Sequence, residues 1–387
     1  MPSSYVIRDD VLWSPRLIQP TRPPAVIYLD MNHYINLAKA KFGRAPQGYS
    51  ELLEACREAQ ANGRALFPLS STHVIEVSNI GSYRQRENVA AVMEELSDFN
   101  YLLGRPHIMR LEIEAAFDAL LGTDRSLRDG ISLIGKSALW GFGMRGGLII
   151  RGTDEKADVA NAEKRLRYRL GDETFEKMMA HFNREAERVL LVGPDDDMEA
   201  ELRQEGAYTP EIPYQHREKR AQQEVDQAGR LDQNPEWRRG RLRDLMTLRE
   251  IIELWEMITL ELSARKMTPT EFTDLLGAPR SEEFTERDYS KARNFSDGMP
   301  STRVAISLKE NYHRNRQHNW TSNDMHDIDA LAVAMPYCDA VFTDAAAWNA
   351  LKNSRELLVF GTFLPRRPSQ LVHWLGKLPS RVPPIAS

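Results

Sequence analysis

Cysteine is almost missing from this chain. Cys56 and Cys338 are the only two in 387 residues and lie far apart, so neither a disulfide framework nor a thiolate metal site is expected. The histidines follow no H-E-x-x-H or H-x₃-H spacing, which removes the usual zinc-binding helices. Positive charge is not in excess either. The formal balance is −5, so no global field draws the chain to nucleic acid or acidic membrane, and any such contact must rest on a local patch. No uninterrupted apolar run reaches membrane-spanning length, and the opening MPSSYVIRDDVLW has no apolar core of a secretory leader. These absences predict a cytoplasmic protein with reduced thiols and no membrane contact. No repeat of fixed period is present.

What is there begins with an ordinary globular composition, 42% hydrophobic and 28% charged, able to bury a core in one large or several ordinary domains. After a Pro-rich lead-in, Ala25–Asp30 is an apolar, β-prone run. Asn32 is a suitable N-cap for a helix over His33–Ala40. A helix over Glu51–Gln60, a strand over Ala65–Leu69 and a helix over His73–Ile80 follow. Strand–helix alternation of this kind predicts a parallel sheet covered by helices.

From Leu111 to Asp297 helical periodicities take over, at Leu111–Leu121, Lys156–Leu170, Thr174–Val192 and Arg241–Arg265. Asp195–Trp237 is polar and charged, as in a solvated helix or a loose segment. The α/β pattern resumes with a helix over Thr302–Arg314. An acidic helix start, a turn at Pro336-Tyr337, a buried strand Ala340–Thr343 and a last strand Leu357–Phe360 follow. The expected organisation is an arm (1–24), an α/β core in two parts (25–110 and 298–365), a mainly helical insertion (111–297) and a tail (366–387).

Four acids stand at the ends of these elements: Asp30 after the first strand, Glu76 early in a helix, Asp327 opening a helix, and Asp344 after a strand. In open α/β sheets, ligands sit outside the carboxyl ends of the strands. Hard cations such as Mg²⁺ and Mn²⁺ take oxygen ligands and keep several waters, so a few carboxylates suffice. Carboxylates crowded without a cation repel one another.

The pieces VIYLDMNHYINLA, SSTHVIEVSN and NDMHDIDALAVAMPYCDAVFTDAAAW, taken in order, resemble the PIN domain family of metal-dependent ribonucleases. The resemblance spans roughly residues 25–110 and 300–365. It implies a Rossmann-like three-layer α/β/α core with a parallel sheet, here split by the insertion. It further implies that Asp30, Glu76, Asp327 and Asp344 bind Mg²⁺ or Mn²⁺ and that RNA is the substrate, hydrolysed at its phosphodiester bonds. Asp324 and Asp329 compete with Asp327 as third acid. Asp327 is preferred because Ala330, Leu331 and Ala334 follow on its face. The long insertion departs from minimal family members and points to a protein partner, or a second copy, in substrate choice. The alternative is a catalytically inert RNA- or protein-binding scaffold that acts through the insertion.

Other motifs carry less. Arg303, Lys309, His313, Arg314, Arg316, His318 and Trp320 form a basic run with an aromatic, either a solvated face or a phosphate-steering patch with a stacking platform. Arg84 and Arg86 reach a phosphate beside Glu76 only if that helix continues past Gly81. Thr343 orients a ligand or is simply β-prone. Gly141–Gly146 spells G-x-G-x-x-G but precedes a strand-like run, so a loop is expected there rather than a dinucleotide fingerprint. Asp195–Asp197 has no continuing ligand spacing.

Overall fold

The computed structural model describes residues 11–123, 129–144, 164–209, 211–277 and 288–379. Its strands are short: β1 (Leu17–Ile18), β2 (Ala25–Leu29), β3 (Ala65–Leu66), β4 (Tyr101–Leu102), β5 (Ile131–Ser132), β6 (Ile134–Gly135) and β7 (Ala340–Phe342). All five residues of β2 are buried, the mark of a central strand covered on both faces. It pairs in parallel with β3 on one side and β7 on the other, giving the order β3-β2-β7. Isolated parallel bridges, Leu69 to Tyr101 and Ala340 to Phe363, widen this sheet at both edges. β4 pairs antiparallel with β6, and β1 pairs with β5.

Alternate side chains of β2 enter opposite layers, as strand geometry requires. Val26 and Tyr28 pack with helices α15 (Pro300–Arg314), α16 (Ser322–Tyr337) and α17 (Ala345–Asn353). Ile27 and Leu29 pack with α1 (Met31–Lys41), α2 (Tyr49–Ala61), α4 (Tyr83–Ser97) and α18 (Pro368–Leu375). Burial of each large aliphatic here is worth about 1.5–3 kcal/mol. Helices thus cover both faces of a small parallel sheet in a mainly helical chain. Cys56 and Cys338 are buried and unpaired.

Between the two parts of the sheet run α5 (Arg105–Leu121), the short α6 (Ala138–Gly141), a helical stretch over 164–170, α7 (Asp172–Val192), α8 (Asp196–Gln204), α9 (Glu211–Gln233) and α10 (Pro235–Gly240). Then come α11 (Leu242–Glu253), α12 (Trp255–Ala264), α13 (Pro269–Leu276) and α14 (Ser290–Gly298). The helix expected over Arg241–Arg265 is broken at Leu254, which caps α11 and precedes α12. The described residues of the polar stretch Asp195–Trp237 form α8, a solvated helix with no buried side chain, then a short link, α9 and the start of α10. On α9, Arg217, Glu224, Gln227 and Leu231 are buried. Buried ions fasten α9 and α11 to the sheet-covering helices. Lys309 Nζ lies 2.9 Å from Glu250 and 2.6 Å from Glu253, and His313 Nε2 lies 2.7 Å from Glu224. Arg220 pairs with Asp329 at 2.7 Å, and Arg105 with Glu250 at 3.0 Å.

Several boundaries differ from those the sequence predicts. Leu357–Phe360 belongs to a 3₁₀-helix, Arg355–Phe360, and Phe363 takes the sheet-edge place expected of that run. Pro336 does not mark a turn. It lies in the last helical turn of α16, which continues through Tyr337. The second strand stops at Leu66, with Leu69 only bridging to Tyr101. The first helix starts at Met31, capped by Asp30 and not by Asn32.

The glycine run is partly helical: Gly141 ends α6, and the residues beyond Met144 lie outside the described ones. Its first glycines serve close packing. A Cβ on Gly141 would stand 3.0 Å from the Ser71 nitrogen, and one on Gly143 (φ +78°) would strike the His107 ring at 2.0 Å. The helix expected over Lys156–Leu170 is described only from residue 164.

Candidate functional site

The parallel register that sets Leu29 opposite Phe342 brings the carboxyl ends of β2 and β7 to one edge of the sheet. Asp30 extends the ladder by one bond, its N–H donating to the Phe342 carbonyl at 2.9 Å. Each strand then turns directly into a helix that its aspartate caps. Asp30 Oδ1 accepts from the Met31 N–H at 2.7 Å, and Asp344 Oδ1 accepts from the Ala347 N–H at 2.8 Å. The Thr343 hydroxyl donates to Asp30 Oδ2 at 3.4 Å. Capping therefore occupies one oxygen of each carboxylate.

Glu76 and Asp327 come from helices facing this edge. Glu76 is carried by α3 (Ser71–Ser78), in its second turn rather than early in the helix. Asp327 likewise sits in the second turn of α16, whose first residue is Ser322, and does not open it. Oε2 of Glu76 is buried and has no hydrogen-bond partner among the described residues.

Asp30, Glu76 and Asp327 each register neighbouring acids. Burial pushes the Asp30 carboxyl up to about 6, and Asp344 adds to the push. Burial and then Asp30 drive Glu76 up to about 8, with Arg217 pulling the other way. Asp327 is held well above the usual carboxylate range by burial, then by Asp30, Asp344, Glu76 and Asp324. The buried Tyr28 and Tyr312 hydroxyls also register these charges. The competitors for third acid are otherwise engaged. Asp324 closes the capping box of α16 with Thr321 and lies 3.2 Å from His318. Asp329 is held by Arg105 and Arg220, which keep its carboxyl far below the ordinary range.

Among the described residues, no three His, Cys, Asp or Glu side chains converge into a ready-made metal cage. A hard cation does not require one, because Mg²⁺ keeps several waters and needs only one or two protein carboxylates. The unpartnered Glu76 oxygen and the mutual repulsion of the four acids suit such a water-rich divalent ion.

Two histidines that sequence reasoning passed over hold the acids in place. The Ser70 N–H donates to His73 Nδ1 at 2.9 Å, so the ring proton is on Nε2, which donates to the Leu29 carbonyl at 2.8 Å. His73 thus ties the start of α3 to the residue before Asp30. His33 stacks on Phe342 with ring centroids 3.5 Å apart. Its Nε2 reaches the Thr343 carbonyl at 3.2 Å and its Nδ1 the Tyr49 hydroxyl at 2.7 Å. A carbonyl only accepts, so Nε2 carries the proton here as well. Burial pushes both rings down to about 4 and keeps them neutral. Nothing in their spacing announces either role.

The basic run upstream of α16 is divided: Arg314 and Arg316 are solvent-exposed, and the rest is largely buried. Lys309 and His313 are buried against Glu250 and Glu224, and Arg303 is buried. Arg314 and Arg316 pair with Glu310 and Asp232. Trp320 is buried against Tyr312 and His318, which leaves no face for a base. α3 ends at Ser78 and α4 begins at Tyr83, so Arg84 and Arg86 do not continue the face of Glu76. Arg86 is buried, donating to the Ile80 and Pro194 carbonyls. Asp195 caps α8 through Met198. No helix among the described residues is long and apolar enough to cross a membrane. No family model, no curated protein and no solved structure matches this chain.

Proposed function

We propose that this chain is a metal-dependent endoribonuclease built on a PIN-type, Rossmann-like α/β/α core, with Asp30, Glu76, Asp327 and Asp344 holding Mg²⁺ or Mn²⁺. What carries this reading is the parallel pairing of β2 and β7, which sets Asp30 and Asp344 at one sheet edge, where Asp30, Glu76 and Asp327 are pushed up by burial and by neighbouring acids. A divalent ion there supplies a hydroxide-like water and neutralises charge on a phosphodiester. The chain's own part is positional. Asp30 and Asp344 are fixed as helix caps, with Thr343 bracing Asp30. His73 sets α3, and hence Glu76, against β2. In-line attack by water on the phosphorus leaves 3′-hydroxyl and 5′-phosphate ends. The full chain incubated with mixed RNA and Mn²⁺ is expected to cut it, and to stop cutting as Asp30→Asn or Asp344→Asn. Cleavage that persists unchanged in both variants overturns the proposal.

One observation favours the second reading, an inert scaffold. Asp30 and Asp344 already have a structural task as caps, and no three-acid cage is formed among the described residues. Thermal-shift titration with Mn²⁺ separates the two. A stabilisation that disappears in Asp344→Asn supports the nuclease, and no response at millimolar metal supports a scaffold that recruits RNA or protein.

A further inference from the structure

Against α3 lies a cavity of about 770 Å³, within the range of small-molecule sites. Its walls come from both parts of the chain: Ser71 and Thr72 at the start of α3, Arg217 on α9, His326 on α16, and Leu254 and Met257 around the α11–α12 break. Arg217 is 6% exposed, yet its Nε and Nη2 have no hydrogen-bond partner among the described residues. The neighbouring cations are neutralised: Arg220 donates to Asp329 at 2.7 and 3.1 Å, and Arg105 is shared between Asp329 and Glu250. A buried guanidinium without partners is costly unless an anion completes it.

The second observation is the end of α3. The N–H of His73 is capped by Ser70, but those of Ser71 and Thr72 lack intrahelical acceptors and lie at the positive end of the helix dipole. Ser71 and Thr72 bring that end to the cavity, with the Gly141 backbone packed against Ser71. An arginine fork and a helix N-terminus together are the usual equipment for a phosphate. Met109, Leu254, Met257 and Val333 form an apolar stretch of the wall that suits the flat face of a base, beside the polar Gln223 and Glu253.

We infer that this cavity takes one phosphate-bearing nucleotide, its phosphate between Arg217 and the start of α3 and its base against Leu254 and Met257. Nucleotide binding stands by itself; that the nucleotide belongs to a substrate strand rests on the nuclease reading. Arg217 feels the charge of Asp329 first and then that of Glu76, so a strand seated here passes beside the acids. The helical insertion would then contribute a substrate-holding residue and not merely a cover.

Calorimetry of the full chain in EDTA, with nucleoside 5′-monophosphates, the matching nucleosides and inorganic phosphate, tests the inference. Monophosphates are expected to bind, and nucleosides to bind about tenfold or more weakly, as when a charge-assisted hydrogen bond is lost. Arg217→Met removes the phosphate-dependent part while the unliganded chain melts at the same or a higher temperature, because an unpaired buried charge has gone. Equal monophosphate affinity in Arg217→Met, or no binding by the wild type, overturns the pocket. A large fall in melting temperature with unchanged affinity also overturns it, by making Arg217 structural.

Short oligoribonucleotides with and without a 5′-phosphate identify which phosphate is held. Tighter binding of the phosphorylated strand assigns a terminal monoester, and equal binding an internal diester; either result supports the pocket. The two proposals fail separately. Arg217-dependent binding without any RNA cleavage sinks the nuclease alone. Asp344-dependent cleavage whose KM ignores Arg217→Met sinks the pocket alone.

Discussion

The Thr343 hydroxyl reaches across the β2–β7 ladder to Asp30 Oδ2 at 3.4 Å, so the first acid is braced by the residue that precedes the last one. Two strands distant in sequence are thereby coupled at the point where charge collects.

Relief of that charge is measurable without any substrate. Asp327→Asn is expected to raise the melting temperature of the metal-free chain by a few degrees, roughly what 1–2 kcal/mol gives in a chain of this size. It should also abolish the extra stability gained from Mn²⁺. A metal-free Asp327→Asn protein that melts below the wild type contradicts the repulsion.

The capping role of Asp344 and its proposed metal binding are separable. Asparagine caps a helix about as well as aspartate, so Asp344→Asn should keep stability while cleavage falls. Asp344→Ala loses the cap as well and is expected to unfold about 0.5–2 kcal/mol more easily. Denaturant titration of the two variants checks this, and equal stability would show that the Ala347 hydrogen bond contributes nothing.

The pH dependence has a definite sign. Glu76 has a folded value of about 8, raised from the ordinary range, so its contribution to stability is full at low pH and is lost as pH rises through 8. His33, His73 and His326 are shifted the opposite way, to about 4, so between 4 and 6.5 they make stability rise with pH. From about 6.5 to 8 the histidines no longer contribute, and the raised carboxyls set the sign: Glu76 throughout, with Asp327 and, up to about 7, Glu112 acting in the same direction. In EDTA the melting temperature should fall across this window, and Mn²⁺ should help most at the upper end. A flat profile in that window, unchanged in Glu76→Gln, would remove Glu76 from the cluster.

His73→Leu leaves the buried Leu29 carbonyl and the Ser70 N–H without their ring partner, at about 1–3 kcal/mol for each stranded group. Because His73 positions α3 without touching substrate, cleavage should lose kcat with little change in KM. A variant as stable as the wild type would show that the ring is dispensable.

Lys309→Met removes the cation shared by Glu224, Glu250 and Glu253 and should cost about 3–5 kcal/mol. Chemical denaturation reads the loss. Near-wild-type stability would mean that the three glutamates find other partners.

The sequence was most legible where local pattern and burial agree. The run Ala25–Leu29 is apolar throughout and is the central strand, and Ala340–Phe342 is its parallel neighbour. Leu357–Phe360 has the same apolar look, yet its backbone closes 3₁₀ turns and the edge place passes to Phe363. Charge was least legible. Lys309 and His313 look solvent-facing because their partners, Glu250 and Glu224, lie on α11 and α9, dozens of residues away. Arg217 gave no signal for the same reason: its neighbourhood is assembled from α3, α9 and α16.

The ion pairs of Lys309, Arg220 and Arg105 span the junction between the sheet-bearing part and the long helical stretch. Severing the chain at that junction would strip each fragment of its neutralising half and leave bare charge on surfaces shaped for contact. Neither fragment is thus expected to be a freestanding unit. Trimming this protein to its sheet-bearing part would remove the neighbours that keep that part folded.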